Sequence, residues 1–84
     1  MAEPLNRLLN RTKFACGAMA KHCRSRAATT VDTLVRIALS GFAKQLDDRA
    51  AQIDAWLNEP LDGVASKREA EMRDACAEWL RMLQ

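Results

Sequence analysis

Apolar residues recur along this chain at spacings of three and four, in three successive segments. In the first, Leu5, Leu8, Leu9, Thr12, Cys16, Met19, Ala20 and Cys23 fall in one arc of about 120° on a helix of 3.6 residues per turn. Pro4 suits the first turn, because it lacks an amide hydrogen that would be left unpaired there. The pattern predicts a helix over about 4–25 that frays near Ser25.

The second segment carries Val31, Leu34, Val35, Ala38, Leu39, Phe42, Leu46, Ala50, Ile53, Trp56 and Leu57. Its arc spans nearly half the circumference, wide enough to touch two other helices. Thr29 is the expected cap, with Asp32 three residues on as its capping-box partner and as an anion at the positive end of the helix dipole. The predicted helix covers about 30–58, with Ser40-Gly41 as the place for a kink or a break. Unbroken from Val31 to Asn58, it would be about 42 Å long. Pro60 then biases Glu59 out of helical geometry, and Asp62-Gly63 reads as a turn.

A third helix is predicted over about 64–83. Ser66 and Glu69 form a capping box, with Asp62 as the cap of an earlier start. Met72, Ala75, Cys76, Trp79, Leu80 and Leu83 make its buried stripe, and Glu71, Asp74 and Glu78 share a solvated opposite side. Short connections make consecutive helices antiparallel. The expected fold is therefore all-α, a single domain over residues 1–84: a three-helix up-down-up bundle with a long central helix. Its expected core is Leu8, Met19, Leu34, Phe42, Leu46, Ile53, Met72, Trp79 and Leu83. Trp79 should face Ala43 to Leu46, and Cys16 should face Leu39 and Phe42. The wide stripe of the second helix leaves open a dimer in which it also buries a symmetry mate.

Composition supports helices over strands. Helix formers dominate, Gly totals three and Pro two, and Tyr is absent. Eighty-four residues suffice for one core and not for two. Net charge is only +2, but it is unevenly spread. Residues 1–30 hold six cations (Arg7, Arg11, Lys13, Lys21, Arg24, Arg26) and one acid, Glu3, whereas residues 31–84 hold seven cations and ten acids. The N-terminal third is thus basic and the remainder mildly acidic.

Three cysteines, Cys16, Cys23 and Cys76, make an odd number with no secretory leader before them, so the expected setting is reducing and cytoplasmic. The Arg-rich, acid-poor residues 5–30 also loosely resemble an organellar transit peptide, although they carry a core-facing stripe. No apolar run approaches the ~18 residues of a membrane span.

Catalytic chemistry is hard to find in these residues. His22 is the sole histidine and diverges from Cys23 by about 100° on a helix, which does not build a nucleophile–base pair. The isolated glycines form no phosphate-cradling loop, so no cofactor is expected. No close-spaced cysteine pair suggests a metal site. Cys16 and Cys23 lie about 10.5 Å apart along one helix, and Cys76 is expected well away from Cys16. Arg49 falls in the middle of the second helix's apolar arc and should snorkel to solvent or pair with Glu69, Glu71 or Asp74.

One feature is left unexplained by folding. Phe14 points away from the first helix's core stripe, among Arg7, Arg11, Ala18 and Lys21. An aromatic ringed by cations and small residues is the composition of an interaction hot spot. The expectation is a non-enzymatic helical protein-interaction module, a small regulatory, adaptor or inhibitor protein that binds a larger protein through this face. A first alternative is a nucleic-acid-binding regulator using the basic third, with cations on phosphates and the ring on a base. A second alternative is a thiol- or metal-responsive protein. Packing of Phe14 on another element or on a dimer mate is the competing structural account.

Overall fold

The computed structural model describes residues 3–59 and 66–83, and those residues form three helices: α1 (Leu5–Thr29), α2 (Thr33–Asn58) and α3 (Ser66–Met82). The all-α expectation holds, with shifted boundaries. The expected Asp62-Gly63 turn, and the capping roles given to Asp62 and to the Ser66 side chain, lie outside the described residues.

α1 does not fray at Ser25. Ala27 and Ala28 are strong helix formers that carry it one turn further. There the Thr29 hydroxyl donates to the carbonyls of Ser25 (3.5 Å) and Arg26 (3.2 Å), and the Thr30 hydroxyl donates to Arg26 (2.6 Å). Thr29 therefore closes α1 instead of opening α2. The N-cap of α2 is Asp32, whose Oδ1 accepts from the amides of Leu34 (2.9 Å) and Val35 (3.3 Å). A carboxylate satisfies two free amides and places an anion at the positive end of the dipole, which a hydroxyl cannot do. Asp32→Ala should lower stability by about 1 kcal/mol, read as an earlier urea midpoint at unchanged slope. An unchanged midpoint would show that the cap contributes nothing.

α2 is one unbroken helix through Ser40-Gly41. A Cβ placed on Gly41 would meet nothing within 4 Å, so no close packing demands glycine there. Glu59 then turns extended (ψ 142°) just before Pro60, as the steric demand of proline requires.

Ion pairs fix the topology. Arg24 pairs with Asp47 and Lys13 with Asp54, so α1 and α2 run antiparallel. The Arg73 guanidinium donates to the Glu3 carbonyl (2.6 Å), and Leu83 packs on the cluster around Cys16, so α3 runs parallel to α1. Two clusters make the core. Near the chain's N-terminus Leu8, Leu9, Ile53, Trp56, Met72 and Cys76 pack together; in the middle Cys16, Ala20, Cys23, Ala43 and Leu46 do.

The expected core mostly forms. Leu8, Leu46, Ile53 and Met72 are buried, while Met19, Phe42, Trp79 and Leu83 are half-buried against them. Leu34 does not join it and is 78% exposed. The reason is length: at 1.5 Å per residue α1 and α2 reach about 38 Å, and α3 only about 25 Å. α3 thus runs out at the level of Ala43 and Leu46, where Leu83 packs.

Trp79 lies further along α2 than expected. It faces Trp56 and Arg49, and Leu83 takes the place opposite Ala43 and Leu46. Among the described residues no Cα of α3 comes within 8 Å of a Cα of α2. The space between them is bridged by side chains: the rings of Trp56 and Trp79 stack with centroids 5.6 Å apart and planes 2° from parallel. At that separation parallel rings must be laterally offset, the favourable arrangement for two aromatic quadrupoles.

Candidate interaction surface

The outer side of α1 presents Arg7, Arg11, Phe14, Ala18 and Lys21 at intervals of three and four, which one helix face requires. Four of the five stand clear for contact, and Arg11 is committed elsewhere. Phe14 is 78% exposed and joins neither core cluster. Beside it lies a shallow groove of about 590 Å³ lined by Asn10, Lys13, Phe14, Gly17, Ala18 and Lys21. Its floor is open because Gly17 has no side chain, and a Cβ there would meet nothing within 4 Å. The groove adds Asn10, Lys13 and Gly17 to the residues that charge and aromaticity alone single out. The signal for Gly17 was its three-residue spacing from Phe14.

The cations of this face differ in availability. The Arg11 guanidinium makes a two-pronged contact with Glu3, Nε to Oε2 at 3.2 Å and Nη2 to Oε1 at 2.8 Å. That hydrogen bond holds the Glu3 carboxyl below its ordinary range, with smaller help from the charges of Arg11, Arg7 and Arg73, and raises Arg11 in turn. Lys13 is tied to Asp54. Arg7 and Lys21 are exposed and have no ion pair among the described residues. Asn10 donates to the Asn6 carbonyl at 2.9 Å and to its side-chain oxygen at 3.1 Å. An exposed ring, a glycine notch and two unpaired cations flanking it can grip an apolar side chain that has an acid nearby.

The thiols sit in the core, as free cysteines on the apolar stripes. All three are buried. Cys76 lies beside Thr12, one turn from Cys16 along α1, and belongs to the cluster of Leu9 and Met72, whereas Cys16 belongs to that of Ala43 and Leu46. Burial pushes the Cys16 thiol up, opposed by the charge of Arg49, and it pushes Cys76 up against the pull of Thr12, Arg11 and Arg73. Among the described residues no group of three His, Cys, Asp or Glu side chains could hold a metal ion.

Arg49 departs from expectation. Glu69 is taken by Arg73 (3.1 and 2.9 Å), and Glu71 lies 4.0 Å from Arg68. The Arg49 guanidinium carbon lies 5.8 Å from the Trp79 ring centroid, and its buried Nη1 has no hydrogen-bond partner among the described residues. Its compensation is the face of the indole, the aromatic surface that attracts a cation most strongly. Glu71, Asp74 and Glu78 are exposed, as their shared helix side implies. Among the described residues no helix is long and apolar enough to cross a membrane. Comparison with protein-family models, curated proteins and solved structures finds no match for this chain.

Proposed function

We propose that this chain is a non-enzymatic helical interaction module, a small regulatory, adaptor or inhibitor protein that binds a larger protein through the outer face of α1. The observation that carries the reading is the exposure of Phe14 beside the Gly17 notch. An aromatic side chain that contributes nothing to its own core leaves about 1.5–3 kcal/mol of burial to be gained elsewhere. Arg7 and Lys21 flank it and favour a partner with acids around an apolar centre.

The nucleic-acid alternative has less support. Of the six cations in the basic third, Arg11, Lys13 and Arg24 are already paired with acids, which leaves few for phosphates. The thiol alternative is weakened by burial of every cysteine.

Phe14→Glu tests the reading. The variant should melt like the parent, since the side chain touches neither core cluster, and should lose at least roughly tenfold in affinity for the protein that the parent retains from its own cell extract. Light scattering coupled to size-exclusion accompanies it. If the parent is a dimer and Phe14→Glu a monomer, Phe14 serves self-association and the proposal fails.

A further inference from the structure

Over the first half of α2 the chain holds more apolar side chains than its core takes up. Leu34, Val35, Ala38, Gly41, Phe42 and Gln45 lie within about 120° of the helix circumference, along about 17 Å of its length. Phe42 is half-buried and the other five are exposed, Leu34 to 78% and Val35 to 45%. Ile37, 65% exposed, stands at one edge of this stripe, and Val31, 94% exposed, precedes it at the helix entry. Val31, Leu34, Val35 and Ile37 belong to neither core cluster.

The stripe is uncharged. Arg36 and Lys44 are the charged residues between Thr33 and Leu46, and both stand about 120° or more from its centre. Asp32 caps the helix through the amides of Leu34 and Val35, and Arg49, the next cation on that side, lies over the Trp79 ring. A phosphate backbone would meet no cation on the stripe itself, which removes the main source of nucleic-acid affinity. A charged partner helix would find no counter-ion there. A second copy of the chain suits the stripe on both counts. It brings a surface of the same length and the same lack of charge, so no like charges are forced together where two copies touch.

Symmetry supplies the positive argument. Two copies of α2 laid antiparallel about a twofold axis at Ala38 set Leu34 against Phe42, Val35 against Gly41 and Ala38 against itself, with Val31 reaching Gln45. The small residues Ala38 and Gly41 let the two helix axes approach to about 8 Å, and the larger side chains interlock on either side. A Cβ on Gly41 would meet nothing within 4 Å in its own chain, so the space above it is open to Val35 of the second copy.

We propose that the protein forms a twofold dimer through this stripe, with a second copy of the chain as the occupant. A helix contact of this length is small for a protein interface, so half-dissociation should fall at about 10–100 µM. Phe14 is exposed on the far side of α1 from α2, and the dimer leaves both copies of it free. The inference is therefore independent of the reading of Phe14.

Sedimentation equilibrium from about 1 µM to about 1 mM tests it, and the parent chain should pass from monomer to dimer within that range. Ala38→Glu and Ala38→Lys place like charges at the axis, and each alone should weaken association at least roughly tenfold. Ala38 is exposed, so both variants should melt like the parent at about 1 µM, where all three are monomers. An equimolar mixture of the two should regain a dimer, because the heterodimer sets opposite charges together. Leu34→Glu should weaken association likewise, and Phe14→Glu should leave it unchanged.

A parent that stays monomeric to about 1 mM overturns the inference, and amide shifts over residues 34–45 on adding duplex DNA or phosphatidylserine vesicles would then identify another occupant. So does a dimer that Ala38→Glu and Leu34→Glu leave intact, or a mixture of the two Ala38 variants that stays monomeric. A dimer dissolved by Phe14→Glu alone overturns it as well, and the Phe14 reading with it. A monomeric parent for which Phe14→Glu still abolishes capture of the cellular partner removes this inference and leaves the Phe14 reading standing.

Discussion

Trp79→Ala should cost about 3 kcal/mol of folding stability, a large share of the roughly 4–12 kcal/mol expected for 84 residues. Three losses combine. The indole leaves a cavity between α2 and α3, where no backbone approaches closely enough to collapse into it. Its offset stack on Trp56 disappears, worth about 0.5–1.5 kcal/mol beyond the area buried. The Arg49 guanidinium also loses the ring that compensates its partly buried charge. Trp79→Phe keeps an aromatic face and should cost less than half as much. Arg49→Met is the informative companion: it replaces an incompletely satisfied cation with an apolar chain of similar reach, and stability should hold or rise by about 1 kcal/mol. Urea unfolding followed by circular dichroism reads all three. A loss below about 1 kcal/mol for Trp79→Ala would mean that α3 is not anchored through the indoles.

The helices were legible because their signals are local. Pro4 opens α1, Asp32 opens α2 and Pro60 follows its end, and each acts within one turn. The cap of α2 went to Thr29 in the sequence because a threonine three residues before an acid satisfies the capping-box pattern. The pattern does not say that Ala27-Ala28 will carry α1 past it, and a carboxylate outcompetes a hydroxyl once both are in reach. Leu34 is the instructive core error. Periodicity places it on the apolar side of α2, but burial needs a neighbour at that height, and whether α3 extends so far is a matter of summed lengths. Periodicity reports which side is apolar and says nothing about what covers it.

The Phe14 face was legible for the same reason in reverse. A ring set about 180° from the core stripe can be read from spacing alone. The commitment of Arg11 to Glu3 could not, because Glu3 precedes the helix and its direction depends on how the N-terminal segment lies against α3, where Arg73 holds its carbonyl. Arg49 stands out in the sequence as a cation in an apolar arc, and of the two outcomes expected for it the pairing with an acid of α3 does not occur among the described residues. Charge arithmetic pointed to acids on α3, yet Glu69 sits one turn from Arg73 and pairs there within its own helix. Short-range pairs on one helix form without ordering a second element, so they capture acids before a cross-bundle cation can.

The largest expected effect concerns the thiols. Cys16 and Cys76 are completely buried, and Cys23 is 4% exposed. A reagent that needs the thiolate must therefore wait for an opening of the bundle. For a domain with a few kcal/mol of stability, labelling should be slowed about a thousandfold or more relative to the urea-unfolded chain. The order is set by the fold. Cys23 lies toward the two-helix end beyond the reach of α3 and should react first. Cys16 and Cys76 lie where all three helices meet and should react together, at the rate of global unfolding. Alkaline pH adds a signed test. Burial raises both thiols in the folded chain, so their contribution to stability is full below the unfolded thiol value of about 8.5 and is lost as pH rises toward the folded values. The hydrogen bond with Thr12 and the charges of Arg11 and Arg73 oppose that rise in Cys76 without cancelling it. Melting temperature should therefore fall between neutral pH and pH ~10, by less in a Cys16→Ala/Cys76→Ala variant than in the parent. Rapid labelling of Cys76 in the folded protein at neutral pH would contradict the packing of α3 against Thr12, and with it the register that leaves the far end of the α1–α2 groove uncovered.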